Sequence, residues 1–265
     1  MTPRTQASLA VTADGDAWII VNASPDLREQ LHALPDLWPR MEPRHSPIAA
    51  VVLTSAEVDH VAGLLHLRER QPFHLIALAP VHAALDQNAI FGVLGGDVVA
   101  RVVARESETV TIAPDLSIEL LTVPGKAPLF LETVDPAIGV ESGETAGVMI
   151  RAGASTLAYV PGCAELTPAL LEELSEADVL LFDGTLFTDD EMIAAGVGPK
   201  TGRRMGHIPI SGPHGSLEGL DTLKARKIYV HLNNTNPILI EGSAERDMVE
   251  SQGVEIAHDG MEIVL

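Results

Sequence analysis

Carboxylate, imidazole and amide side chains are concentrated in four short segments of this sequence, where they could bind a metal ion or move protons. The segments are 55–60, 183–185, 206–207 and 231–237, and their candidate groups are Glu57, Asp59, His60, Asp183, His207, His231, Asn233 and Asn234. Loops that leave the carboxyl ends of strands are held in place by the sheet below them. Carboxylate and imidazole groups that converge there are ligands of divalent metals. The pattern therefore predicts a divalent-metal site.

Each segment also has an ordinary structural explanation. Glu57 and Asp59 would complement the N-terminus of a following helix. Asp183 with the glycine after it is typical of a turn, and a lone loop histidine such as His207 usually has no function. The asparagines of 231–237 would satisfy backbone groups in a turn before a proline. The presence of all four segments in one chain favours the metal site.

Strand-like and helix-like segments alternate along the chain and must position these groups. The predicted strands are 8–12, 17–22, 48–53, 74–79, 109–113, 116–123, 145–151, 155–160, 178–182, 228–231, 254–257 and 261–265, and the predicted helices begin near Ser24, after His60, at Thr167 and at Ala244. The run 48–53 is apolar throughout, as expected of a strand buried on both faces. Mixed elements with hairpins in each half predict an α/β sandwich rather than a doubly wound parallel sheet.

Composition excludes several classes of protein. The 37 acidic against 17 basic side chains give a net charge of −20, which argues against a nucleic-acid or anionic-membrane partner because either would be repelled. A single cysteine excludes a disulfide-stapled secreted scaffold. The N-terminus lacks a signal-peptide pattern and the apolar runs are too short to span a bilayer, so we expect a cytoplasmic protein. No glycine-rich phosphate loop follows a predicted strand, which disfavours a nucleotide cofactor.

The segment around Asp59 and His60, between an apolar strand and a helix, resembles the H-x-H-x-D-H loop of the metallo-β-lactamase superfamily. More narrowly, the chain is similar to the pyrroloquinoline quinone biosynthesis protein B family in segments 3–8, 22–26, 58–65, 182–185, 201–207 and 231–237, of which the last two read TGRRMGH and HLNNTNP. The resemblance runs from near residue 3 to the C-terminus. It implies one αββα sandwich domain over residues 1–265.

The departures from the superfamily pattern bear on the chemistry. Ser55 and Glu57 stand where the first two metal histidines fall, and Cys163 replaces the metal-bridging aspartate. No histidine lies between residues 129 and 147, where another ligand is expected. A two-zinc hydrolase needs a full ligand set to hold its bridging hydroxide, so ordinary lactamase-type hydrolysis is disfavoured.

The ligand types that remain are suited to one metal. The candidate ligands are Glu57, Asp59, His60 and His231, with Asp183 and His207 as acid/base groups or further ligands. Histidines and carboxylates with open positions are the ligand type of mononuclear non-haem iron(II) oxygenases. The expected cofactor is therefore one divalent metal, Fe(II).

The family resemblance implies a role in forming pyrroloquinoline quinone from the crosslinked glutamate and tyrosine of a peptide. It implies an iron- and oxygen-dependent hydroxylation of the tyrosine ring, with dioxygen, a small-molecule or dipeptide substrate and other proteins of the pathway as partners. The alternative is a soluble carrier in transport of the quinone or a precursor to the periplasm. A third possibility is a degenerate lactamase fold that holds partners together. The oligomeric state stays open.

An anionic substrate needs a local cationic patch in so acidic a protein. Lys200, Arg203 and Arg204 form the densest basic cluster of the second half, and guanidinium groups match carboxylates. The alternative is a solvated basic loop. Asn233 and Asn234 would orient the substrate or support His231.

The start of the chain departs from the family pattern. Family chains open with a glycine-rich strand and a cysteine cluster that can hold a structural zinc, and Met1 begins beyond both. We therefore expect a shortened or variant N-terminus and no structural zinc site.

Overall fold

The computed structural model describes residues 3–41 and 44–265. The strands are β1 (Leu9–Thr12), β2 (Trp18–Val21), β3 (Ile48–Val52), β4 (Phe73–Leu78), β5 (Val99–Ala104), β6 (Val110–Ala113), β7 (Leu116–Thr122), β8 (Gly125–Lys126), β9 (Ile138–Val140), β10 (Ala146–Ala152), β11 (Ser155–Val160), β12 (Val179–Asp183), β13 (Arg226–Val230) and β14 (Val254–Ile256). The α-helices are α1 (Leu27–Ala33), α2 (Val58–Val61), α3 (Ala79–Asp86), α4 (Pro168–Leu174), α5 (Glu191–Ala194), α6 (Ser216–Gly219) and α7 (Ala244–Ser251). Short 3₁₀ helices lie at Pro35–Leu37, Ala62–Leu67, Ala89–Val93, Leu129–Leu131, Arg203–Met205 and Pro237–Leu239.

The strands form two large sheets and one small hairpin. The first sheet has the order β1-β2-β3-β4-β5, and the second has the order β14-β13-β12-β11-β10-β7-β6. In both sheets an antiparallel hairpin leads into parallel strands, and β8 pairs with β9 outside them. Parallel pairing needs a crossover between strands, which accounts for the helices between them.

The core consists of three apolar layers, which shows how the sheets are stacked. One layer lies between the sheets and takes residues from both, such as Ile76 of β4 and Tyr159 of β11. A second layer covers the outer face of the first sheet with α1 and α3, and a third covers the outer face of the second sheet with α4 and α7. The predicted α/β class and αββα sandwich are therefore confirmed.

The alternation of side chains explains why the central strands are apolar at almost every position. In β10, Val148 and Ile150 face the layer between the sheets, whereas Met149 faces the helices. A strand covered on both faces needs apolar residues at odd and even positions alike. Such strands form a rigid support for the loops at their carboxyl ends.

The carboxyl end of β3 is joined directly to the second sheet. The N–H of Ala146 donates to the carbonyl of Thr54 over 2.7 Å, and Ser55 forms a bridge with Thr145. These contacts connect the two sheets beside the loops that follow β11, β12 and β13. The four segments predicted to carry chemistry are thereby brought to one edge of the sandwich.

Two predictions about secondary structure are wrong. Residues 261–265 form no strand, because they do not pair with the edge strand β14 and only pack Met261 and Ile263 against the inner layer. The helix predicted after His60 is only the short α2 followed by a 3₁₀ turn. Gly63 lies so close to the carbonyl of Ser24 that a Cβ there would approach its oxygen to 2.1 Å. Three strands, β5, β8 and β9, were not predicted from the sequence.

In residues 3–41 and 44–265, no helix has both the length and the apolar character needed to cross a bilayer.

Candidate metal centre

Asp59, His60 and His231 come together from two loops that belong to different sheets. Asp59 and His60 lie on α2, which follows β3, and His231 directly follows β13. Oδ2 of Asp59 lies 2.9 Å from Nε2 of His231, and the ligand atoms of the three residues all lie within 4.8 Å of one another. Two imidazoles and one carboxylate at this spacing are suited to a divalent metal.

The contacts of His60 test whether this group fits a metal. Nδ1 of His60 lies 2.7 Å from Oγ of Ser55 and 3.3 Å from Oγ1 of Thr54. Nε2 of the same ring is buried and contacts no hydrogen-bonding partner among the residues that the structure describes. A buried polar atom without a partner is costly, and a metal ion would satisfy it. The hydroxyls at Nδ1 hold the ring as supporting groups around metal ligands do.

A second group contains Asp183, His207 and the same His231. Asp183 ends β12 and is fully buried, and its Oδ2 accepts hydrogen bonds from Nδ1 of His207 over 2.8 Å and from the N–H of Cys163 over 3.0 Å. Because the carboxylate holds Nδ1, Nε2 of His207 remains available for proton transfer or metal binding. Asp183 and His207 therefore form an oriented pair beside the first group.

Thr185 connects the two groups through its hydroxyl. Oγ1 lies 2.7 Å from Oδ1 of Asp183, 2.7 Å from Nδ1 of His231 and 3.1 Å from Nδ1 of His207. A carboxylate only accepts, so we infer that the hydroxyl donates to Asp183 and accepts from His231. This pattern puts the proton of a neutral His231 on Nδ1 and makes Nε2 its ligand atom. No role was predicted for Thr185 from the sequence, although it lies two residues after Asp183.

The charges of the site follow from burial and pairing. Burial acts to raise the pKa of Asp59, but the hydrogen bond that Nε2 donates when His231 is protonated, together with the charge of His60, outweighs burial and lowers that pKa. Burial likewise opposes ionisation of Asp183, whose pKa is nevertheless lowered by the charge of His207. Burial lowers the pKa of His60 to about 4, despite the charge of Asp59. Ionised carboxylates and a neutral imidazole are the forms that bind metals.

Glu57 is not brought together with the other predicted ligands. Its Oε1 accepts from Nζ of Lys126 over 2.7 Å, and its Oε2 accepts from the N–H of Leu129 over 3.0 Å. Both oxygens thus hold the segment that follows β7, and Glu57 belongs to neither group of ligand atoms. In the described residues, Asp59, His60 and His231 form the candidate ligand set without it.

The predicted substrate-binding residues lie in different environments. Lys200 and Arg204 both contact Oε2 of Glu132, over 2.8 Å and 3.4 Å. Arg203 instead points to the carbonyls of residues 213 and 214. Asn233 donates to Thr235 within its own loop, and Asn234 is exposed. The structure therefore brings together Lys200 and Arg204, and leaves the other three apart from them.

The two-sheet fold and the candidate metal ligands at its edge define a protein of the metallo-β-lactamase type, and the profile of the Beta-lactamase superfamily domain matches residues 17–232. The relative "Coenzyme PQQ synthesis protein B" of Methylorubrum extorquens AM1 is 52% identical over 99% of this chain and 88% of its own length. Its counterpart in Rhizobium meliloti 1021 is 50% identical over 100% of this chain and 87% of its own. The chain belongs to the coenzyme PQQ synthesis protein B family, where PQQ is pyrroloquinoline quinone.

A solved structure agrees with this assignment. The crystal structure of Zn²⁺-bound PqqB from Methylobacterium extorquens superposes with a TM-score of 0.97 at 51% identity, over 100% of this chain and 89% of that one. The predicted family resemblance is thus confirmed. Family membership supports involvement in PQQ biosynthesis, and a divalent metal accords with the fold and with this relative.

Proposed function

We propose that this chain hydroxylates the tyrosine-derived ring of a crosslinked glutamate–tyrosine intermediate in PQQ biosynthesis. In this proposal one iron(II) is held by Asp59, His60 and His231. The observation that carries it is the set of two imidazoles and one carboxylate, in which the buried Nε2 of His60 has no partner among the described residues. This is the ligand set of mononuclear iron oxygenases, which keep further positions open.

The protein's own residues have distinct roles in this reaction. Bound iron(II) supplies the activation of dioxygen. Asp183 orients His207 through Nδ1, so that Nε2 of His207 can take or give the proton of the substrate's phenol group. Lys200 and Arg204 bind substrate carboxylates. One oxygen atom enters the ring and the other leaves as water, so the reaction also consumes two protons and two electrons from an external reductant.

The test is turnover of the protein loaded anaerobically with iron(II). A synthetic crosslinked glutamate–tyrosine dipeptide, ascorbate as the reductant and dioxygen are added, and oxygen consumption is followed together with the product mass. We expect substrate-dependent oxygen uptake, a product heavier by one oxygen atom, and loss of both in His60→Ala. His66→Ala, an exposed histidine on the same segment, should retain activity. Oxygen uptake that is unaltered in His60→Ala would overturn the proposal.

A carrier of the quinone or its precursor is the second candidate function. The observation that favours it is the basic pair Lys200 and Arg204 near the site, since such a pair attracts an anionic quinone with or without a metal. A carrier predicts tight binding of the quinone by metal-free protein and by His60→Ala, with no oxygen uptake. These results would contradict the hydroxylase function and support the carrier function.

A further inference from the structure

Three cationic side chains converge on one carboxylate beside the candidate metal centre. Oε1 of Glu132 lies 2.9 Å from Nζ of Lys126, and Oε2 lies 2.8 Å from Nζ of Lys200 and 3.4 Å from an Nη atom of Arg204. Both carboxylate oxygens are therefore bound by cations. The three side chains, here called the cation cluster, surround a space that fits one carboxylate and are opposite to it in charge.

The cation cluster is mostly enclosed. The side chains of Lys126 and Glu132 are 9% and 8% exposed, and those of Lys200 and Arg204 are about one third exposed. Lys126 also contacts Glu57. Three positive charges against two carboxylates leave this region with a net charge of +1 in a chain whose net charge is −20. An excess of positive charge in a mostly enclosed region attracts anions.

The cation cluster lies next to the candidate acid/base group. Lys126 packs over Gly206, where a Cβ would come within 3.1 Å of Cγ of the lysine, and Gly206 directly precedes His207. Glu57, the other partner of Lys126, lies two residues before Asp59. A ligand whose carboxylate occupied this position would have the rest of its structure close to the metal centre.

The turn before Glu132 exposes two of its three apolar side chains, while the third, Leu131, packs against the apolar layer outside the first sheet. Glu132 follows the 3₁₀ turn Leu129–Leu131, in which the side chains of Leu129 and Phe130 are 62% and 45% exposed. The ion pairs also determine the charge of Glu132. Burial acts to raise the pKa of Glu132, but Lys200 and Lys126 outweigh burial and lower that pKa to about 2. Glu132 is therefore an ionised carboxylate directly after a turn with two exposed apolar side chains.

We propose that Lys126, Lys200 and Arg204 form a carboxylate-binding site for the substrate, that Glu132 occupies this site in the free protein, and that a substrate carboxylate displaces Glu132. The proposal rests on the proposed function for its substrate, an anionic precursor of the quinone. Lys126 is thereby added to the predicted substrate-binding residues, and Glu132 competes with the substrate carboxylate for the same cations.

The physical basis is the exchange of one carboxylate for another. The cations keep an ion pair with a carboxylate in both states, so displacement costs little in lost pairing. A carboxylate tethered to the same chain is present at a high local concentration and weakens the apparent affinity of any free competitor. Only a ligand with further contacts nearby displaces it readily. The site would thus select multivalent carboxylates over simple acids.

The test is calorimetric binding of PQQ, a tricarboxylate, to the protein with its metal in the absence of dioxygen. We expect Glu132→Gln to lower the Kd about tenfold, because it removes the competitor and keeps the side-chain shape. Lys200→Gln should raise the Kd about tenfold. Glu141→Gln is the matched control, since it removes the same charge from an exposed residue of the neighbouring segment and should leave the Kd unchanged.

The result that overturns the proposal is a folded Glu132→Gln protein, checked by circular dichroism, whose Kd equals or exceeds that of the wild type. Should Glu132→Gln fail to fold, an unchanged Kd in Lys200→Gln overturns it equally. The proposed hydroxylation is tested by a different readout. If the Kd shifts as expected but no oxygen is consumed, the hydroxylation is contradicted and the carboxylate site is not. Dipeptide hydroxylation whose KM is unaffected by Glu132→Gln and Lys200→Gln contradicts only the carboxylate site.

Discussion

Nε2 of His231 lies 2.9 Å from Oδ2 of Asp59, although 172 residues separate the two along the chain. Asp59 follows a strand of the first sheet, and His231 follows a strand of the second. The candidate metal centre is therefore complete only when the two sheets pack together. Binding of a metal to this pair should stabilise the packed state, because the unfolded chain does not hold both ligands close together.

Metal content tests the ligand set directly. We expect the wild-type protein, purified anaerobically and loaded with iron(II), to hold about one metal per chain by mass spectrometry. His60→Ala should lose most of this metal, because the buried Nε2 of His60 has no other partner in residues 3–41 and 44–265. His66→Ala should keep it. Equal metal content in the wild type and His60→Ala would exclude His60 as a ligand.

The hydroxyl of Thr185 should control metal affinity through His231. In Thr185→Val the side chain keeps its shape but no longer accepts from Nδ1 of His231, so the imidazole loses its preferred proton position. Loss of a supporting hydrogen bond of this kind typically weakens metal binding about 10- to 100-fold. Competition with a chelator measures the affinity, and Thr185→Ser should restore it. Equal affinities of the valine and serine variants would contradict the role of the hydroxyl.

Gly184 should tolerate no side chain. A Cβ there would lie 2.8 Å from Cδ2 of Leu232, 2.8 Å from Cβ of Tyr229 and 3.1 Å from the carbonyl oxygen of Val230. Gly184→Ala should therefore lower the free energy of unfolding by about 1–3 kcal/mol, as overpacking does in other cores. Urea denaturation measures the change. Gly92→Ala, where a Cβ meets nothing within 4 Å, should be nearly neutral, and equal effects at both positions would contradict the packing argument.

The stability contributed by Glu132 should depend on pH. Its pKa is lowered from 4.5 to about 2 in the folded protein, where Lys126, Lys200 and Arg204 face the carboxylate. A lowered pKa means that the unfolded chain binds the proton more tightly, so this stabilisation is complete above pH 4.5 and is lost as the pH falls towards 2.

Comparison of Glu132→Gln with the wild type measures this effect. The difference between their free energies of unfolding should be constant above about pH 6 and should shrink as the pH is lowered through the carboxyl range. Glu141→Gln, which alters an exposed carboxylate, should match the wild type at every pH. A difference for Glu132→Gln that grows on acidification would contradict the ion-pair network.

Much of the architecture could be predicted from local patterns. Apolar runs such as that of β3 and the turn residues between β1 and β2 indicated the strands correctly, because strand formation depends on nearby side chains and turn chemistry. The prediction of a strand at residues 261–265 was wrong, since a segment of alternating apolar residues forms a strand only where it pairs with a neighbouring strand. The hairpin of β8 and β9 is too short to leave a periodic pattern.

The types of the candidate metal ligands were also visible in the sequence. Asp59, His60 and His231 were identified by residue type and by their place after apolar strands. Glu57 was predicted with them, but it pairs with Lys126, which is 69 residues away. Thr185 received no role because a single threonine after a strand carries no signal of its partners.

The sequence by itself determined the αββα class, the family and the loops that carry the candidate site, because these follow from local apolar patterns and short motifs. Only the tertiary structure decided which side chains meet: His231 with Asp59, Thr185 between the two groups, and Glu132 within the cation cluster. Each of these contacts joins residues brought together by the packing of the sheets and the loops at their edge. Hydrogen bonds and ion pairs act over a few ångströms, so their partners depend on that packing rather than on position along the chain.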